Sequence, residues 1–250
     1  MAEIEVTRKG RVQIVRFNRV EKKNAITRAM YKTMADALGA ADSDAAIGAN
    51  LLLGQPEVFT SGNDLADFMA IAMGSEHGGE VGEYLKAIAT GTKPLVAAVD
   101  GLAVGVGCTT LLHCDLVYAS PRAWMQTPFV DLGLVPEAGS SLIAPRLMGH
   151  QRAFALLAMG ERFSAEKAER AGLVNEVIGS DDLEAHAMAA ADQLANKPPE
   201  ALAISRKLIR GDRDEIVARI VEESEYFSQR LKSDEARNAF MAFMKKKAKK

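Results

Sequence analysis

Two runs of small residues interrupt apolar segments where a helix is expected to begin. The first is Val58–Leu65, reading VFTSGNDL. The second is Gly105-Val106-Gly107, inside KPLVAAVDGLAVGVGC at 93–108. A helix start leaves backbone N–H groups without internal partners and carries the positive end of the helix dipole. Two such starts facing one another make a two-donor pocket for a developing oxyanion. That suits chemistry on a carbonyl, and on a thioester in particular. The Gly105-x-Gly107 pair lacks the third glycine and the acidic residue of a dinucleotide-binding turn.

The elements that must hold these turns follow from periodicity. Residues 3–17 read as a β-hairpin turning at Lys9-Gly10, with Ile4, Val6, Val12, Ile14 and Phe17 as its apolar positions. Thr27 caps a helix whose apolar face is Met30, Met34, Ala37, Leu38 and Ala41. Buried strands are expected at Ala49–Leu53 and Leu95–Val99, and a short one at Leu116–Tyr118. Ser164 caps a helix ending at Gly172, with a strand at Leu173–Ile178. Strand, turn and helix recur, and such units stack into a spiral. After about residue 180 helices dominate. One has a face of Leu183, Ala187, Ala190 and Leu194; Pro198-Pro199 ends it; others are expected over 200–210, 214–231 and 234–246. Residues 74–82, GSEHGGEVG, hold four glycines and read as a loop covering a site, with His77 a solvated member of it.

The 250 residues suit one large domain, or one with an appendage. A net charge of −2 gives no general case for nucleic-acid binding, and no run reaches the ~18 apolar residues of a membrane span. The lysines of 245–250 read as a solvated end. Cys108 and Cys114 have neither disulfide nor zinc spacing and read as buried thiols of a reducing interior. The N-terminal residues lack an apolar signal core, so a cytoplasmic protein is expected. No metal is expected.

The chain resembles the crotonase (enoyl-CoA hydratase/isomerase) superfamily. The resemblance starts at Asn18-Arg19-Val20-Glu21-Lys22-Lys23-Asn24-Ala25. It continues through FTSGNDLADF (59–68), KPLVAAVDGLAVGVGC (93–108) and TPFVDLGLVPEAGSS (127–141), to Gly172-Leu173-Val174. It implies an α/β fold: a spiral of ββα units over 1–195, binding acyl-CoA and carrying catalysis. A C-terminal helical region, 196–250, would assemble a homotrimer or a dimer of trimers. It implies backbone oxyanion donors at Asn63 and Val106, and no cofactor beyond the coenzyme A of the substrate. It places Ser61, Gly62, Asp64, Leu65 and Gly105 on the substrate, with Lys22, Ala25, Phe129 and Leu134. Lys22 and Lys23 either approach the CoA phosphates or are solvated. Asp64 is expected to brace its turn. Asp131 either faces the pocket or caps the next turn, and His113 reads as a satisfied core histidine.

One departure decides the chemistry. Where family hydratases carry the two glutamates that hold water, this chain has Thr109 and Phe129. A carboxylate stands instead at Glu137, in LVPEAGSS, a pattern similar to peroxisomal-type Δ3,Δ2-enoyl-CoA isomerases. Moving a 3-enoyl double bond takes a proton from C2 and returns one to C4, which one carboxylate can do. Apolar neighbours Phe129, Leu132, Leu134 and Val135 are expected to raise its pKa. The expected activity is isomerisation of 3-enoyl-CoA to 2-trans-enoyl-CoA in fatty acid oxidation. The alternatives are an enoyl-CoA hydratase, which is a lyase, and a non-catalytic acyl-CoA-binding homologue.

Overall fold

A computed structural model describes residues 2–64, 66–67 and 79–248. Strands β1 (Ile4–Lys9) and β2 (Val12–Phe17) form the expected hairpin. Beside β2 run β3 (Ala49–Leu53), β5 (Leu95–Val99), β7 (Leu116–Ala119) and β10 (Glu176–Val177), all parallel, in the order β1-β2-β3-β5-β7-β10. A second sheet has the order β4 (Val58–Thr60), β6 (Leu102–Val104), β8 (Trp124–Gln126), β9 (Phe163–Ser164). The chain therefore steps from the first sheet to the second and back: β3 to β4, β5 to β6, β7 to β8. Each pair stacks on the one before it, which is the expected ββα spiral.

Strands β3 and β5 are buried along their whole length, as strands covered on both faces must be. Their residues alternate between two cores. Leu52, Ala97 and Val99 face the inner core with Met30, Tyr31 and Met34 of α1 (Arg28–Ser43). Leu51, Leu53, Val96 and Ala98 face α7 (Leu183–Ala195). Thr27 caps α1, its hydroxyl accepting from the Met30 N–H at 3.3 Å. The buried stripe of α7 is Leu183, Ala187, Ala191 and Ala195; the expected Ala190 and Leu194 lie at its margin.

Further helices are α2 (Glu80–Thr90), α3 (Val106–Leu111), α4 (Ser140–Met148), α5 (His150–Leu157), α6 (Ala165–Arg170), α8 (Pro199–Arg210), α9 (Arg213–Leu231) and α10 (Asp234–Ala248). Helix α9 packs against α2 and α4, and Ile220, Leu231, Ala236 and Phe240 join the inner core. Three expectations are corrected. The strand at 173–178 shrinks to Glu176–Val177, because Leu173 and Val174 are buried in the turn after Gly172 (φ 81°). Residues 80–82, read as loop, open α2. Helices also occupy 140–157, where Pro145 and Gly149, residue types that end helices, mask the apolar spacing. No described helix is long and apolar enough to cross a membrane.

Candidate active site

Strands β4 and β6 are parallel neighbours, so the turns leaving them lie at one edge of the second sheet. The turns touch. A side chain at Gly62 would stand 2.7 Å from the Val104 carbonyl oxygen, and one at Gly107 would stand 2.3 Å from Thr60 Cγ2. Gly62 also sits at φ 85°, a conformation glycine adopts without strain. Around Asn63 the backbone is otherwise engaged. Ile26 N–H donates to Gly62 O at 2.8 Å, and Asp64 N–H to Ile26 O at 3.0 Å. The Asn63 N–H has no partner among the described residues. Val106 is the first residue of α3, fully buried, and its N–H is likewise unpartnered there, while Cys108 and Thr109 N–H both donate to Gly105 O.

The segment 18–25 clamps the first turn. Asn24 is fully buried at φ 52°. Its Nδ2 donates to Val58 O (3.1 Å) and Phe59 O (3.0 Å), and its Oδ1 accepts from Arg19 N–H (2.8 Å). The Thr60 hydroxyl donates to Asn24 O at 2.6 Å, and Ser61 N–H to Lys23 O at 2.9 Å. Arg19 bridges Ala25 O (2.9 Å) and the Asp64 carboxylate (2.6 Å). Burial opposes ionisation of Asp64, but Arg19, the Ala66 N–H and Lys22 together hold its carboxyl below the usual range. Asp64 is thus tied into the turn, and Lys22 is exposed beside it.

Glu137 precedes α4 in a turn that holds a non-glycine left-handed residue, Ala138 (φ 63°), and then Gly139 (φ 69°). Such a backbone needs external support. His113 supplies part of it: its Nε2 lies 2.7 Å from Ala138 O, and a carbonyl only accepts, so Nε2 carries the proton. Burial, with Arg210 nearby, pushes the His113 pKa down to about 4, so the ring is neutral. Glu223 of α9 supplies the rest, accepting from Gly139 N–H at 2.6 Å and Ser141 N–H at 2.9 Å.

The Glu137 side chain is 5% exposed, and its Oε1 has no partner among the described residues. Burial first, and then the charge of Glu223, push its pKa up to about 8. Phe129, Leu134, Val106 and Ala138, the residue after Glu137, belong to the inner apolar core, with Leu132 packed against it. Two tyrosines connect Glu137 to the turns. The Tyr31 hydroxyl bonds Asn63 Oδ1, and burial, followed by the Glu137 charge, raises its pKa well above 10. The Tyr84 hydroxyl lies 3.1 Å from Thr110 Oγ1 on α3; burial raises its pKa too, and Glu137 contributes. Glu137 is therefore within electrostatic reach of groups bonded to both turns.

Thr109 is buried, its hydroxyl donating to Val106 O at 3.4 Å, and Phe129 is apolar core. Asp131 is exposed, its carboxylate beside Gly160. Cys108 and Cys114 are free thiols whose pKa values burial raises. Leu65, His77, most of the 74–82 loop and the last two lysines lie outside the described residues. Tyr31 and Glu223 carry no motif that marks them in the sequence. Tyr31 could be found only as the polar residue next to Met30 on the buried face of α1.

An unpartnered acid buried at pKa about 8 has a thermodynamic signature. Unfolded, this carboxyl ionises near 4.5, so between that value and about 8 the unfolded chain releases the proton first. The contribution of Glu137 to stability is full below 4.5 and is lost as pH rises through about 8, by up to about 4–5 kcal/mol. Glu137→Gln should remove that loss. Denaturant titrations of both proteins, from about pH 5 to about pH 9, should show the variant gaining on wild type as pH rises. Parallel stability curves would show that Glu137 is not held in this environment.

Comparison with known proteins agrees with this architecture. The profile of the enoyl-CoA hydratase/isomerase family matches residues 7–250. Enoyl-CoA delta isomerase 2 of Rattus norvegicus is 37% identical over 98% of this chain, and the match spans 64% of that protein's length. The 2,3-dehydroadipyl-CoA hydratase of Escherichia coli K12 is 29% identical, over 99% of this chain and 97% of that protein. The structure of Pseudomonas aeruginosa OdaA superposes with a TM-score of 0.93 at 43% identity, covering 98% of this chain and 99% of that one. With the family profile covering nearly the whole chain and the ββα spiral in place, the chain belongs to the enoyl-CoA hydratase/isomerase family and has the crotonase fold.

Proposed function

We propose that this protein isomerises 3-enoyl-CoA to 2-trans-enoyl-CoA, as a step of fatty acid breakdown. The observation that carries the reading is Glu137, a buried carboxyl within electrostatic reach of tyrosines bonded at two turns; among the described residues its Oε1 and the Asn63 and Val106 N–H groups have no partner. Glu137, in its ionised form, takes a proton from C2. The C2–H electron pair moves into a dienolate, and the negative charge collects on the thioester oxygen. The Asn63 and Val106 N–H groups hold that charge. Glu137 then returns the proton to C4, the double bond settles between C2 and C3, and the base is regenerated. Gly62 and Gly105 keep side chains away from the thioester, and Phe129 and Leu134 keep the base dry. Ser61, Asp64, Ala25 and Lys22 border the CoA portion, with Lys22 toward its phosphates.

The similarity to a delta isomerase supports this reading, and the similarity to a hydratase keeps a second one in view. Hydration needs a water held by two acids. Here the second acid near Glu137 is Glu223, and both its oxygens already accept backbone N–H groups. The positions of the hydratase glutamates hold Thr109 and Phe129. We further propose that the protein works as a trimer or a dimer of trimers. Ile204, Leu208 and Ile209 of α8 are largely exposed in the single chain, and an apolar face of that kind suits burial between copies.

The test compares kcat/KM for a 3-enoyl-CoA and for a 2-trans-enoyl-CoA. Isomerisation should exceed hydration by roughly 10² or more, the scale of a missing acid–base group. Hydration equal to or faster than isomerisation would establish the hydratase reading. Binding of both thioesters with turnover of neither would establish a non-catalytic acyl-CoA-binding protein.

A further inference from the structure

We propose that Glu223 is the positioning residue of Glu137: it fixes the turn that aims the base and supplies the fixed negative charge that makes it basic. The inference rests on the reading of Glu137 as the base. Its geometry is specific. Gly139 N–H donates to Glu223 Oε2 at 2.6 Å and Ser141 N–H donates to Oε1 at 2.9 Å. These N–H groups flank Ser140, the first residue of α4. Glu223 therefore caps α4 from another helix, more than eighty residues away in sequence. The same two bonds hold the left-handed pair Ala138-Gly139 that immediately follows Glu137. No local side chain caps α4, so the cap comes from α9.

Which acid of the pair keeps its charge follows from what each faces. Both oxygens of Glu223 accept N–H bonds, the pattern of an ionised carboxylate. Its other side borders a cavity of about 200 Å³, walled by Val135, Pro136, Ser141, Arg219, Glu222 and Tyr226, with ample room for water. Arg219 donates to Ser141 Oγ at 3.1 Å and pairs with Glu222 at 2.9 Å, so a cation stands on that side as well. Burial raises the Glu223 pKa above its ordinary value, and Ser141, the Gly139 N–H and Arg219 offset only part of that rise. Glu137 lacks such bonds: its Oε1 has no hydrogen-bond partner among the described residues. Among the described residues, the groups that interact electrostatically with Glu137 include Tyr31 from α1, Tyr84 from α2 and Glu223 from α9, and the neutral His113 holds the next residue through Ala138 O. Among these, Glu223 is the group whose charge raises the Glu137 pKa. A fixed anion beside a buried acid favours its protonated form and makes its conjugate base a stronger proton acceptor. General-base chemistry is most effective when that base titrates near the working pH.

Two charge changes of opposite sign test the proposal. Glu223→Gln keeps an acceptor for one N–H and removes the charge; Arg219→Gln removes the compensating cation. The readout is the pH midpoint of the Glu137 carboxylic C=O infrared band, assigned by its absence in Glu137→Gln. This measurement requires no turnover, so it stands whether or not the protein is an isomerase. Glu223→Gln should move the midpoint down by about one pH unit, and Arg219→Gln should move it up. The acid limb of kcat/KM for a 3-enoyl-CoA should follow both shifts, while KM changes little, since both residues act through the basicity of Glu137. A merely structural role would not move the midpoint in opposite directions. An unmoved midpoint in folded Glu223→Gln overturns the proposal. Should that variant not fold, an unmoved midpoint in Arg219→Gln does so. Moved midpoints without isomerase activity would uphold the electrostatic pairing and reject only the assigned reaction.

Discussion

Glu137→Gln is expected to abolish nearly all isomerisation of 3-enoyl-CoA while leaving a folded protein that still binds acyl-CoA. A positioned general base is worth roughly 10²–10⁴ in rate. Here the loss should lie at the upper end, because one group both removes the C2 proton and delivers a proton to C4. The amide matches the carboxyl in size, so the buried site at 5% exposure stays filled. It cannot accept the proton. It also removes an acid whose pKa burial and Glu223 have pushed to about 8, so the variant should be at least as stable as wild type near neutrality. Loss of turnover with unchanged thioester binding and an unchanged or raised melting temperature is the expected combination. Wild-type turnover in this variant would remove Glu137 from the mechanism. Lost turnover together with lost binding would mean that the residue shapes the pocket instead.

What the sequence disclosed depended on how local each signal is. The hairpin of 4–17, the cap at Thr27, the buried strands β3 and β5 and the glycine turns are set by neighbours within a few residues, and each is legible. Glu137 is legible through the resemblance of LVPEAGSS to the isomerase pattern, with Thr109 and Phe129 where hydratases carry glutamates. The partners that give these features their properties are remote. Tyr31 reaches Asn63 from thirty-two residues away, His113 reaches Ala138 from twenty-five, and Glu223 reaches Gly139 from eighty-four. No periodicity links such pairs. Glu223 sits in Glu222-Glu223-Ser224-Glu225 of a polar amphipathic helix, where it reads as a solvated surface acid. Only the packing of α9 on α4 buries it and joins it to the turn. The helices at 140–157 were hidden for a different reason. Gly139, Pro145 and Gly149 read as breakers, yet Gly139 and Gly149 serve as end caps and Pro145 lies within α4.

The oxyanion donors offer a test in which the peptide, not the side chain, is the variable. Val106→Pro deletes one N–H and should lower turnover by about 10²–10³, the usual cost of one such donor. Val106→Ala keeps the N–H and should stay within about tenfold of wild type, even though it opens a small gap in the core. The geometry favours survival of the fold in both. Val106 is the first residue of α3, where a helix N–H has no internal partner to lose and proline is tolerated. The preceding residue, Gly105, has φ 57° and ψ −123°, outside the helical region that a following proline disfavours. Circular dichroism and thermal melting would establish that the proline variant is folded before its rate is read. The loss should fall on kcat more than on KM, because charge on the thioester oxygen develops on the way to the dienolate. A folded Val106→Pro protein with near-normal kcat would show that this turn does not hold the oxyanion. The family membership would stand, since it rests on the whole chain, but stabilisation of the dienolate would then have to come from Asn63 alone.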